Sequence, residues 1–283
     1  MAAVTSIGET PLTGPATQQP RGMQRRRRWR LNIFRYLVLT VYGLFVALPL
    51  LALFRYSLEG SKLGTWSLTA WRDIVSYPGL ASAVELTLEL AVITSAVMLV
   101  LLLPTMIWIK LRVPWFSRTF EFLCLLPLTI PAISLVVGIG PVYNLLQRVV
   151  LSALQLFWVY VILALPYAYR ALASGLDAID ATTLAEAARS LGARWFTVMF
   201  RVIAPNMAQA ILNAVLLTSA LVLGEFTIAY LLLYSTLQPT LYSISRNTPN
   251  ATVLFSTSMA ALLFTFVLLL IVSYIGRRRR RRG

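Results

Sequence analysis

Histidine is missing altogether from this 283-residue sequence, cysteine occurs once, and acidic residues number only ten. Without histidine, and with Cys124 as the single thiol, the common zinc sites lack ligands and the histidine-based nucleophilic triads lack a base. A lone cysteine forms no internal disulfide. Charged residues make up 12% of the chain, where soluble domains carry about 25%. A phosphate-binding loop of the form G-x-x-x-x-G-K-[ST] is also missing, since Gly60-Ser61-Lys62 lacks the upstream glycine spacing. An integral membrane enzyme would need a clustered catalytic constellation, and no histidine, cysteine pair or acidic cluster supplies one. No internal period of repeat length is evident.

What the sequence has in quantity is apolar surface. Hydrophobic residues are 58% of the chain, and the mean hydropathy is +0.76. Lipid, rather than water, is the expected solvent. At about 20 residues per crossing, the apolar runs predict six helical spans near 31–54, 83–109, 119–141, 152–172, 206–234 and 253–275. The first run is too long for a signal-peptide core and has no small-residue cleavage site after it, so it reads as an uncleaved span. Residues 1–30 read as a disordered basic arm, 31–276 as one six-span domain and 277–283 as a basic tail. Pro49, Pro104, Pro127, Pro131 and Pro166 fall inside spans, where neighbouring helices can satisfy the freed backbone groups. The pair Pro127 and Pro131 should bend or break the third span.

The net charge of +15 is concentrated at the two ends, in Arg25–Arg28 and Arg277–Arg282. Each run adjoins an apolar stretch, which points to anionic lipid rather than nucleic acid. With the N-terminus in the cytoplasm, 20 of the 25 Lys and Arg residues lie inside and 5 outside. Excess basic charge on the cytoplasmic side is the rule for insertion, so both termini are expected inside.

The one long inner segment, 176–205, has its own local logic. Thr183 followed by Glu186 reads as a capping box that starts a helix. Ala185, Ala187, Ala188 and Leu191 favour helix, and Gly192 suits the left-handed residue that ends it. A second helical stretch runs through Trp195 and Phe196 to Pro205, which suits the first turn of the next span. On these residues alone, an amphipathic connector and a docking surface for another protein carry similar weight.

The run Glu186-Ala187-Ala188, three residues, Gly192, and twelve more to Pro205 resembles the EAA loop of the permease subunits of binding-protein-dependent ABC importers. Ala204 stands where that pattern usually has leucine. The resemblance implies an all-α, six-span type I importer permease with both termini cytoplasmic, in the bacterial inner membrane. It implies a non-catalytic subunit that works by alternating access. It also implies partners: an ATP-binding-cassette ATPase dimer holding ATP and magnesium, a second permease subunit, identical or homologous, and an extracytoplasmic solute-binding protein. Glu186, Ala187, Ala188, Gly192 and Pro205 would then form the ATPase-coupling element. This chain itself would bind no cofactor.

Glu225 is the carboxylate placed mid-span, flanked by Gly224 and Thr227. An ionisable group there normally faces a cavity or a partner, so Glu225, Gly224 and Thr227 are candidate pathway residues. Pairing with a neighbouring helix is the competing reading. Arg170 reads as a snorkelling residue at an inner end. The proline-rich third span and Gly-Glu-Phe-Thr resemble the spermidine/putrescine, ferric-iron and aminoethylphosphonate permeases, which makes a polyamine or related amine the expected solute; ferric iron, aminoethylphosphonate and sugar are the alternatives. A secondary transporter or channel is the rival class, but it would call for inverted repeats or several buried charges.

Overall fold

The computed structural model describes residues 21–59, 65–147, 153–247 and 251–280. The expectations for residues 1–20, for Gly60-Ser61-Lys62 and for the last two arginines lie outside these. Among the described residues the regular structure is helical, apart from one isolated antiparallel bridge between Glu59 and Trp66. In order, the helices are α1 (Arg21–Ser57), α2 (Thr69–Val75), α3 (Leu80–Arg112), α4 (Ser117–Leu125), α5 (Ala132–Gln147), α6 (Leu156–Asp177), α7 (Ala181–Ser190), α8 (Trp195–Thr197), α9 (Ala204–Asn206), α10 (Ala208–Gly224), α11 (Thr227–Leu231), α12 (Leu237–Asn247) and α13 (Ala251–Arg280).

Two compact units are formed, residues 1–52 and 53–283. The first holds most of α1, which is apolar and solvent-accessible on every side between Asn32 and Ala52. A helix apolar all round belongs in lipid. The helix starts at Arg21, ten residues before the expected span, and takes in Arg25–Arg28. Arginine, methionine and glutamine are good helix formers, so the apolar run nucleates a helix that extends into them.

The second unit is built on α3, α6 and α10. Met98, Leu102 and Ile107 of α3 pack with Ala168 and Leu172 of α6 and Ala214 of α10 in one buried cluster. Small residues let these helices approach, as is usual where lipid gives no hydrophobic drive between helices. A Cβ added to Gly175 on α6 would overlap the Cβ of Ala210 on α10 outright. Ser95 and Ser219 bridge α3 and α10 by a hydrogen bond of 3.4 Å.

The third span breaks where expected. After α4, a tight 3-10 turn over Leu126–Thr129 leads to Ile130 in extended conformation. The axis then turns by 103° into α5. A bend this sharp fits a broken crossing or a loop that re-enters on one side. Lys110, near the end of α3, reaches Asp177, the last residue of α6, at 2.6 Å. The ends of α3 and α6 therefore lie on the same side. The 22 residues of α6 extend about 33 Å, so its start lies on the opposite side. The chain between Arg112 and Leu156 must cross, and α4 with α5 make one broken span. With the five other helices long and apolar enough to cross, this brings the described residues to six candidate crossings.

Candidate functional site

The segment from α7 to α9 folds as a helix, a sharp turn and a second helical stretch. Its start differs from the expected capping box. The N-cap is Asp180, not Thr183. The Asp180 carboxylate accepts the Thr183 backbone N–H at 3.1 Å and the Thr183 hydroxyl at 2.7 Å. Asp and Thr are both good N-caps, and here the residue three places earlier takes the role. The Thr183 hydroxyl, followed by the backbone N–H, holds the Asp180 carboxyl below the usual range. Glu186 therefore lies inside the helix, exposed, rather than closing a capping box.

The C-terminus of α7 is as expected. Gly192 has φ +82°, the left-handed conformation that side chains disfavour. Its N–H donates to the Arg189 carbonyl at 2.9 Å, and the Ala193 N–H to the Ala188 carbonyl at 3.0 Å. These two bonds make a Schellman turn. The faces of α7 then divide cleanly. Ala181 and Ala185 are buried, while Glu186, Ala187, Arg189, Leu191 and Gly192 are exposed, Leu191 to 89%. Ala188 is half-buried beneath the turn.

Beyond the turn, Val198–Ile203 form a π-helical stretch. Pro205 follows in α9, and the next span begins only at Ala208. Proline lacks an N–H and crowds the carbonyl four residues back; a widened turn before it lets the chain continue as helix. Val198, Met199 and Ile203 are buried with Ala181 and Ala185 in the same cluster as α3 and α6. The segment is thus docked on the ends of α3 and α6 by one side and open on the other.

Trp195 stands at the edge of that docking. Trp108 meets its ring edge-on, with centroids 5.3 Å apart. The Arg112 guanidinium lies 5.3 Å from the ring centre on a cation–π approach. Residue composition could not pair Trp195 with a helix more than eighty positions away. Arg170, expected to snorkel at an inner end, meets Glu121 of α4 at 3.1 Å. Both side chains of that pair are well exposed, which makes it a mark of proximity more than a source of stability.

Glu225 occupies a second break. It ends α10 in extended conformation, ψ 124°. Its carboxylate accepts the N–H groups of Ile228 at 2.7 Å and Ala229 at 3.1 Å, and the Tyr160 hydroxyl at 3.1 Å. The side chain therefore caps α11 and ties it to α6. Gly224 is exposed and has open space about it, and Thr227 is half-buried. A cavity of about 370 Å³ lies beside the break, lined by Phe226, Tyr230, Gln238, Tyr242, Thr257 and Ser258 among others. Phe226 stacks on Tyr230 at 4.9 Å and meets Tyr242 at 5.2 Å. Sequence reasoning missed this aromatic cluster. Among the described residues, no group of acidic, cysteine or histidine side chains is placed to hold a metal ion.

Residues 91–281 match the model of the binding-protein-dependent transport system inner membrane component. The chain belongs to that family. It is thus an ABC transporter permease, a non-catalytic, multi-pass transport subunit with the all-helical type I importer fold. Permeases of this family work with an ATPase and a solute-binding protein. A similar fold is seen in the solved structure titled "Crystal structure of an amino acid ABC transporter with histidines", with a TM-score of 0.50 and 21% identity. The likeness covers 77% of this chain and 100% of that one. At that identity it carries the fold and not the cargo. Among curated proteins no sequence matches.

Proposed function

We propose that this permease sits in the bacterial inner membrane with both termini in the cytoplasm and moves a small amine-bearing solute by alternating access. The motor is a separate ATPase dimer holding ATP and magnesium. It docks on α7 and the turn that follows, with Glu186, Ala187, Ala188, Gly192 and Pro205 as the coupling element. The observation that carries this reading is the divided face of α7, with Ala181 and Ala185 in the core and Glu186 and Leu191 free to meet another protein. A second permease subunit, identical or homologous, completes the pathway, and an extracytoplasmic protein delivers the solute.

The test is cross-linking in the assembled complex. Glu186→Cys should form a disulfide with a cysteine placed in the ATPase groove, and Gly192→Asp should abolish ATP-driven uptake while leaving the protein in the membrane. Normal transport by the Gly192→Asp complex would remove the coupling role.

The solute class rests on Glu225, Gly224 and Thr227 at the break in the fifth span, next to the aromatic cavity. An aromatic cavity that begins at Phe226, one residue after this carboxyl group, suits an amine, which aromatic faces attract when it is charged. Ferric iron, aminoethylphosphonate and sugars are the competing cargoes. Labelled putrescine is the probe: uptake by proteoliposomes with the full complex should slow on Glu225→Gln. Unchanged rate and selectivity would take Glu225 out of the path.

A further inference from the structure

We infer that Trp195 is a positioning residue that transmits movement of the α7 turn to α3, held between Trp108 and Arg112 as in a clamp. The inference rests on the reading that α7 and its turn receive the ATPase.

Three observations converge on this ring. First, its two neighbours lie one helical turn apart at the end of α3, where residues four positions apart share a face. Trp108 is edge-on at 5.3 Å and Arg112 lies 5.3 Å from the centroid. Both groups touch the ring, so displacement of Trp195 along α3 disturbs at least one of these contacts. Second, the Trp195 Nε1–H is buried and has no hydrogen-bond partner. Packing against Trp108, Arg112 and the core cluster sets the ring's place, and no hydrogen bond to a fixed acceptor anchors it elsewhere. Third, only two residues separate Trp195 from Gly192, whose turn is locked by two backbone bonds. A push on Glu186 or Gly192 reaches the ring through a stiff elbow.

The remaining contacts of the segment with α3 and α6 are apolar, among them Val198, Met199, Met106 and Leu176. Such surfaces resist separation more than sliding, because apolar attraction is non-directional. The clamp supplies the resistance to sliding. It also reaches a second helix, since Lys110, between Trp108 and Arg112, pairs with Asp177 at the end of α6.

Spin labels at Thr105→Cys on α3 and Thr182→Cys on α7, both at exposed positions, read the clamp directly, with Cys124 replaced by serine. In the full-length chain alone, the parent and Trp195→Phe should each give one narrow inter-label distance, and Trp195→Ala a broad one. Arg112→Gln should broaden it partially. In the complex with the ATPase, addition of ATP and vanadate should leave the parent distance unchanged and shift it in Trp195→Ala, with stimulated ATP hydrolysis lost. Equal distributions in parent and Trp195→Ala would overturn the clamp, as would a Trp195→Phe chain as broad as Trp195→Ala. Failure of the parent chain to retain the ATPase sinks the docking reading instead, and the measurement on the chain alone still decides the clamp.

Discussion

Tyr160 on α6 donates its hydroxyl to the Glu225 carboxylate at 3.1 Å, across a gap where the fifth span stops being helical. The same carboxylate takes the first free N–H groups of α11. A side chain that looked costly in a membrane thus serves backbone N–H groups that would otherwise be unpaired. Glu225→Ala removes the acceptor for both N–H groups and should cost about 1–3 kcal/mol. Glu225→Gln keeps one acceptor oxygen and should cost less. Thermal unfolding in detergent orders the three proteins, and an alanine variant as stable as the parent would exclude the capping role.

Gly192 has open space around a built Cβ, so bulk is not what it avoids. Its φ of +82° is the constraint. Gly192→Ala should destabilise the turn by about 1–2 kcal/mol, while Gly192→Asn should be milder because asparagine tolerates the left-handed region. Hydrogen exchange at Gly192 and Ala193 N–H reports the turn directly. Faster exchange in the alanine variant, with the asparagine variant between it and the parent, is the expected order.

Asp180 makes the start of α7 sensitive to acid. Its folded pKa lies below the unfolded value, chiefly through the Thr183 hydroxyl. The stabilisation is fully present above the unfolded carboxylate pKa and is lost as pH falls through the folded one. Acidification should therefore lower the protection of the Thr183 and Leu184 amides, measured against their intrinsic exchange rates at each pH. Asp180→Asn keeps a good cap without the titration. Its amides should show no such extra sensitivity, and an unchanged acid response would assign the effect elsewhere.

At Gly175 the argument is steric. Its added Cβ would occupy the space of Ala210, so Gly175→Ala must push α6 from α10. Overpacking of this kind costs about 1–3 kcal/mol. The paired change Ala210→Gly should recover much of the loss in a thermal melt. No recovery would mean that the helices separate for another reason.

Much of the fold was readable before any coordinates, because span length and proline placement are local properties. The broken third span followed from Pro127 and Pro131. The turn at Gly192 followed from backbone sterics. The misplaced cap shows the limit: Asp180 and Thr183 are both good N-caps, and the choice depends on where the chain turns after α6 ends at Asp177. Glu225 was legible as an unusual charge. Its role was not, because that role depends on a helix break and on a tyrosine 65 residues away. The grip of Trp108 and Arg112 on Trp195 was beyond reach for the same reason.

The π-helical stretch at Val198–Ile203 has a consequence for insertions and deletions. A widened turn holds one residue more than the α-helical ladder needs. Losing a single residue there would let the strand of chain close into ordinary helix without breaking it. Because the widened turn absorbs that residue, everything upstream would keep its facing relative to the span that follows. A deletion at this place would spare both folding and the face offered to the motor, whereas one in the regular helix of the following span would turn its two ends against each other by about 100°.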